Sequence, residues 1–369
     1  MDPAEFYADQ AGQAWVTMQR RFWGARGGGY RRREGWWRPG AWEHVWPFAR
    51  AFISALDLAG LPGHLVPGGF DPDAVIAAHL TALAHYWDPA DSPGAYASDP
   101  VGSRFGGDRY YDDNAWLGLA LVQLERLRPG TAGLERAREL FAFAAAGWDE
   151  RADAPLPGGV FWVEQGRGIG RRNHDRNTVS NAPNAQLALH LVVLGAAGDD
   201  ELTAAERMIA WVHAAMAAPG SDGRLFRDKV RGDGSIDAAL WSYNQGSMVG
   251  AHVLRHRAGR SVQALAAAEG IARAVLAWPL SRLIGQPPAF NAILFRNLLQ
   301  LGAAGAGDEL RAAIQAALRA YADALLARPR DRHGLIRAGD EPATLLDQSA
   351  AVSVLALLAW DPAGCDRLA

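Results

Sequence analysis

The chain has 369 residues, about half of them apolar, enough to build one large domain or two ordinary ones around a sizeable core. A net charge of −3 argues against electrostatic binding of nucleic acid. Cys365 is the only cysteine, which excludes an intramolecular disulfide and a thiolate metal site, and no apolar run is long enough to span a bilayer.

From the N-terminus, Met1-Asp2-Pro3-Ala4-Glu5-Phe6 lacks a basic segment followed by an apolar one. No signal peptide is expected, and the chain is expected to be soluble and cytoplasmic. Helical periodicity then recurs and strand signals are sparse. Helices are predicted over residues 3–23, 41–59, 71–87, 113–128, 133–148, 178–195, 202–218, 236–257, 261–277, 288–302, 307–327 and 343–359. The fifth carries one apolar stripe, Leu134, Ala137, Phe141, Ala144 and Trp148, and the eleventh repeats it with Leu310, Ile314, Leu318, Tyr321 and Leu325. Such helices have one solvent face. The sixth (Ala185 to Leu194) and the twelfth (Ala350 to Ala359) are apolar nearly all round, as helices buried on every side are.

Loop lengths alternate with helix type. Loops entering even helices are mostly long, such as Asp88 to Tyr111, Asp149 to Asn177 and Pro219 to Ser235. Loops leaving them are mostly short. Long loops in compact domains are usually functional. If outer and inner helices alternate around a ring, every long loop falls on one face. The predicted fold is therefore all-α, an (α/α)6 toroid of six helical hairpins, with a site at the N-terminal ends of its inner helices. An open solenoid would need a repeating sequence period, and none is visible. No linker interrupts the pattern, so residues 1–369 are expected to form a single catalytic domain. Gly158 to Glu164, β-branched and aromatic between glycines, predicts a small hairpin inside one long loop.

The site candidates lie at the inner-helix starts. Tyr111-Asp112-Asp113-Asn114-Ala115-Trp116 puts two adjacent carboxylates at the head of an apolar helix. Paired carboxylates are the working groups of glycoside hydrolysis, one ionised while the other holds a proton. The second helix brings Trp42, Glu43, His44 and Trp46, after Trp36-Trp37. The sixth brings Asn177, Ser180, Asn181 and Asn184. The eighth brings Asp237, Trp241, Tyr243, Asn244 and Gln245. The tenth brings Phe290, Asn291 and Arg296, and the twelfth Asp347 and Gln348. Carboxylates, amides and flat aromatics suit a sugar, whose hydroxyls need directional hydrogen bonds and whose C–H faces stack on rings. Trp162, in the Gly-flanked hairpin, joins this set. Plainer roles compete. Asp112 could be a helix N-cap worth ~1 kcal/mol, Asp113 a first-turn acid favoured by the helix dipole, the asparagines caps, and Trp42 or Trp46 core. The aromatic flanks and the long loop before Asp112 favour the site. His252 and His256 have ligand spacing but sit in the last turns of their helix, so no metal and no cofactor are expected. Arg31-Arg32-Arg33 and Arg171-Arg172 are short loop runs expected to be solvated. Lys229 is the only lysine among 37 Lys and Arg residues, a bias ascribed to genome composition.

At these residues the chain resembles glycoside hydrolase family 76, the bacterial and fungal endo-α-1,6-mannanases. The resemblance rests on Tyr111-Asp112-Asp113-Asn114-Ala115-Trp116, on Gly158-Gly159-Val160-Phe161-Trp162 followed by Asn177-Thr178-Val179-Ser180-Asn181-Ala182, and on Ser242-Tyr243-Asn244-Gln245-Gly246, in that order. It implies an (α/α)6 fold, a mannan or manno-oligosaccharide substrate, and a retaining mechanism with Asp112 as nucleophile and Asp113 as acid/base. Substrate contacts are expected from Tyr111, Asn114, Trp116, Trp162, Asn181, Asp237, Trp241, Tyr243, Asn244 and Gln245. Adjacency itself favours retention, because neighbouring aspartates readily place their carboxyls ~5 Å apart and reach the inverting gap with difficulty. It does not say which aspartate is the nucleophile. Three rivals stand. A sugar epimerase like the N-acylglucosamine 2-epimerases needs paired histidines, with His44 and His252 as candidates. Terpenoid-type cyclisation needs a later aspartate that this motif lacks. A carbohydrate-binding toroid without turnover would not need the aspartate pair.

Overall fold

The computed structural model describes residues 2–24, 28–32, 41–90, 93–103, 107–131, 133–337 and 341–369. Arg33, Trp36 and Trp37 lie outside them. The helices are α1 (Pro3–Phe22), α2 (Val45–Ala59), α3 (Pro72–Leu83), α4 (Tyr111–Leu127), α5 (Gly133–Ala146), α6 (Thr178–Val193), α7 (Asp199–Trp211), α8 (Ser242–Gly259), α9 (Val262–Leu276), α10 (Leu280–Ile284), α11 (Pro288–Ala303), α12 (Asp308–Leu326) and α13 (Leu345–Ala359).

Six of them close a ring. α2 packs on α4, α4 on α6, α6 on α8, α8 on α11, α11 on α13, and α13 returns to α2. Outside it, α3 packs on α2, α5 on α4, α7 on α6, α9 on α8, α12 on α11, and α1 on α13. The fold is the (α/α)6 toroid. Composition explains the two layers. α13 is buried at nearly every position, whereas α12 buries mainly the stripe Leu310, Ile314, Leu318, Tyr321 and Leu325. The ring is also tied across its axis by a buried ion pair. Asp57 of α2 accepts from Arg296 of α11 at 2.5 and 2.6 Å and from Gln123 of α4 at 3.1 Å. Arg296, expected at the mouth, belongs to this tie.

Two local expectations change. The predicted helix 236–257 begins only at Ser242, because Ile236–Asp237 is a strand (β5). It pairs with β4 (Lys229–Val230), which pairs with β3 (Arg176–Asn177). The turn Gly232-Asp233-Gly234, with Gly234 at φ +87°, breaks the helical pattern there. Gly158 to Glu164 is extended but makes no hairpin of its own. Its bridges run from Val160 to Trp148, Phe161 to Arg176 and Val163 to Tyr110. Gly159, at φ +85°, backs onto Trp211, where a Cβ would come within 2.5 Å of the ring. A further pair, β1 (Trp87–Asp88) with β2 (Ala95–Tyr96), lies in the loop before α4.

One device seats four of the long loops. The fourth residue of an inner helix is an amide that clamps both polar groups of one loop residue. Asn114 of α4 holds Tyr96 N–H and C=O at 2.7 and 3.0 Å. Asn181 of α6 holds Val160 at 2.9 and 3.5 Å. Gln245 of α8 holds Phe226 at 2.8 and 2.8 Å. Gln348 of α13 holds Ile336 at 3.1 and 2.7 Å. Extended chain repeats its side-chain direction every two residues. Each clamp therefore also fixes where the residue two positions on will point. After Tyr96, Val160 and Phe226 those residues are Ser98, Trp162 and Asp228, and all three line one cavity.

Candidate active site

That cavity, of about 810 Å³, opens where the inner helices begin. Trp46, Trp241, Tyr243 and Phe290 form an aromatic wall, with Tyr243 stacked on Phe290 at 4.0 Å between centroids. Arg32, Glu43 and His44 form a polar rim, in which Arg32 lies 3.4 Å from both Glu43 and Asp99. Asp112, Asp113 and Trp116 enter from the head of α4.

The N-cap of α4 is Tyr110, and no side chain caps the helix. Asp112 and Asp113 are first-turn residues, so neither is there as a cap. Both are half-buried and line the cavity, and Asp112 Oδ1 is fully buried. Burial pushes Asp112 up to about 7, against the lowering effect of the backbone N–H groups of residues 112 and 113 and the Trp162 indole N–H, 3.3 Å away. Asp113 is pushed well above the usual carboxylate range by burial and then by the Asp112 charge. The indole N–H on Asp112 favours its ionised form, and a charge there keeps the proton on Asp113. The arrangement supplies one carboxylate and one carboxylic acid side by side near neutral pH.

A third carboxyl, Asp228, lines the same cavity. Burial raises it, opposed by hydrogen bonds at 3.1 Å from Tyr243 Oη and from Asn244 Nδ2. Sequence reasoning missed it, because Arg227-Asp228-Lys229 looks like ordinary loop charge. The signal that finds it is the clamp on Phe226 two residues earlier. Tyr110, which lines the cavity with its ring 4.8 Å from that of Trp162, was not assigned to the site either.

Of the predicted contact residues, Trp116, Trp162, Trp241 and Tyr243 line the cavity with the aspartates. The other six do not. Tyr111 is buried, stacked on Phe143 at 4.5 Å. Asn114, Asn181 and Gln245 are buried clamps whose amides are taken up by backbone groups. Asn244 holds Asp228 from behind. Asp237, on β5 rather than a helix start, pairs with Arg231 at 2.8 Å and accepts from Ala239 N–H. Asn291 likewise donates to Leu283 C=O, and Asp347 closes a capping box with Thr344. The histidines do not converge. His44 is on the rim, His252 pairs with His213 at 2.8 Å on the outer side of α8, and His256 meets Ser261 C=O. Among the described residues no three His, Cys, Asp or Glu side chains are grouped to hold a metal ion.

Comparison with solved structures finds the same architecture. An α-mannanase from Bacteroides thetaiotaomicron matches with a TM-score of 0.79 at 18% identity, covering 97% of this chain and 98% of that one. An α-1,6-mannanase from Salegentibacter sp. matches with a TM-score of 0.75 at 21% identity, covering 96% and 99%. That structure is an inactive variant, with two consecutive aspartates replaced by asparagine, in complex with α-1,6-mannotriose. A mannosidase from Bacteroides thetaiotaomicron matches with a TM-score of 0.76 at 20% identity, covering 96% and 98%. No curated protein matches the chain. The sequence profile of glycosyl hydrolase family 76 matches residues 77–330, which hold the aspartate pair, Trp162, Asp228 and the aromatic wall residues Trp241, Tyr243 and Phe290, and the chain belongs to that family.

Proposed function

We propose that this glycoside hydrolase cleaves α-1,6-linked mannan or manno-oligosaccharides by double displacement with retention, and that residues 1–369 act as one catalytic unit. Asp112 attacks the anomeric carbon while Asp113 gives its proton to the leaving oxygen. Asp113, now a carboxylate, then takes a proton from the water that releases the sugar from Asp112. The observation that carries the reading is the unequal environment of the two adjacent carboxyls, with the Trp162 indole N–H on Asp112 and burial against a like charge on Asp113. The aromatic wall offers stacking surfaces, and Asp228, held by Tyr243 and Asn244, offers a fixed acceptor for sugar hydroxyls. The solved relatives that act on or hold α-1,6-linked mannose support the choice of substrate.

Histidine-based epimerisation is disfavoured because His44 and His252 lie apart. Incubation with α- and β-linked mannans and glucans tests the reading. Release of reducing ends from α-1,6-mannan, and none from β-mannan or glucan, is expected. Cleavage of another polymer in preference would reassign the substrate.

A further inference from the structure

Lys229 is the only lysine in a chain that otherwise uses arginine for positive charge. It lines the cavity next to Asp228. Its Nζ lies 3.1 Å from Asp175 Oδ2 and 5.8 Å from the ring of Trp162, the residue that donates to Asp112. An ammonium has three N–H donors on one compact head, where a guanidinium spreads its charge over a planar fork. Asp175 takes one donor, and Asp175 is itself placed by accepting from Gly232 N–H at 3.3 Å. Asp112 and Asp228, in the same cavity, are acceptors. The rim cation Arg32 is engaged by Glu43 and Asp99.

We propose that Lys229 is a specificity-determining contact, its ammonium oriented by Asp175 so that the remaining N–H donors bind hydroxyl oxygens of the sugar unit held between Trp162 and Asp228. With Asp228 beside it, the pair presents a donor and an acceptor to neighbouring hydroxyls, which discriminates hydroxyl configuration. The Lys229 charge also favours the ionised form of Asp228. The inference rests on the mannan-cleaving reading of the same cavity.

The test compares wild type, Lys229→Met and Lys229→Arg on α-1,6-mannotetraose. Lys229→Met is expected to raise KM by about 10- to 100-fold, the loss of a charge-assisted hydrogen bond, with kcat changed far less. Lys229→Arg should recover only part of the affinity, and the thermal midpoints of both should stay at the wild-type value. Because the lysine is unique, reductive dimethylation keeps its charge and leaves one N–H for Asp175, removing the free donors. It should raise KM in wild type, should be slowed by bound manno-oligosaccharide, and should leave the KM of Lys229→Arg unaltered. Wild-type cleavage with an unchanged KM in Lys229→Met, or a KM unaffected by dimethylation, overturns the inference alone. A wild type that cleaves no α-1,6-mannoside overturns the mannan reading and the inference with it.

Discussion

Replacing Trp162 by phenylalanine removes one hydrogen-bond donor and keeps a ring in the cavity. The indole N–H stabilises the ionised form of Asp112, so its loss favours the protonated form and the Asp112 pKa must rise. Hydrogen bonds to charged groups are worth about 1.5–3 kcal/mol. This one is long at 3.3 Å, so the lower end applies, and the shift is about one pKa unit. A nucleophile must be ionised, and Asp112 starts at about 7. The acid limb of kcat/KM should therefore move up by about one unit, and activity at pH 6 should fall about tenfold relative to wild type. The loss should shrink once the pH passes the new midpoint. The assay is a pH profile of kcat/KM on α-1,6-mannotetraose, with the thermal midpoint recorded alongside. An unmoved acid limb with an equal loss at every pH would refute the assignment of Asp112 as the group that must ionise.

Other outcomes follow from the same geometry. Asp112→Asn and Asp113→Asn should each abolish most turnover on mannan with the fold intact. On an activated aryl mannoside, which needs little acid assistance, Asp113→Asn should form glycosyl-enzyme faster than Asp112→Asn, and the reverse order would exchange the roles. Asp113→Asn should also be stabilising. The folded-state pKa of Asp113 is raised, so its carboxyl costs stability above the ordinary carboxylate range, and the cost vanishes as pH falls to that range. Its thermal midpoint should exceed that of wild type at pH 8 and match it near pH 4; an equal gain at both would contradict the burial argument. Gln245→Leu strips partners from Phe226 N–H and C=O and from Trp241 C=O, a destabilisation of about 3–5 kcal/mol in urea unfolding. Native stability there would show that the clamp is dispensable. Asp228→Asn keeps the shape and loses the charge. It should cut kcat/KM by about tenfold or more, the scale of one charged hydrogen bond, and an unchanged value would remove Asp228 from the site.

The ring was legible because it depends on long, repeated signals. The apolar stripe of Leu310 to Leu325 and the all-round apolarity of Ala350 to Ala359 separate outer from inner helices without any tertiary information. That the aspartate pair would line the cavity was legible because two carboxylates beside Trp116 and Tyr110 have few structural uses. The amides were misjudged for a physical reason. An asparagine at a helix start can bind sugar or clamp backbone, and only the returning loop decides. Asn114, Asn181 and Gln245 are each clamped to a residue 18–21 positions earlier in the chain, a separation that no local pattern reports. Asp228 was missed for the same reason, since its direction is set by Gln245 through Phe226. Asp237 was misplaced because the periodicity around α8 runs on into a segment that the Gly232 to Gly234 turn converts to strand.

The most direct measurement of the central claim is proton NMR of α-1,6-mannotetraose during its first turnovers by the wild-type enzyme. Adjacent carboxyls acting as nucleophile and acid/base require that the reducing-end mannose released at the cleaved bond appear first as the α-anomer and only later mutarotate. If the β-anomer appears first, water has attacked directly, and the assignment of Asp112 as a covalent nucleophile is wrong.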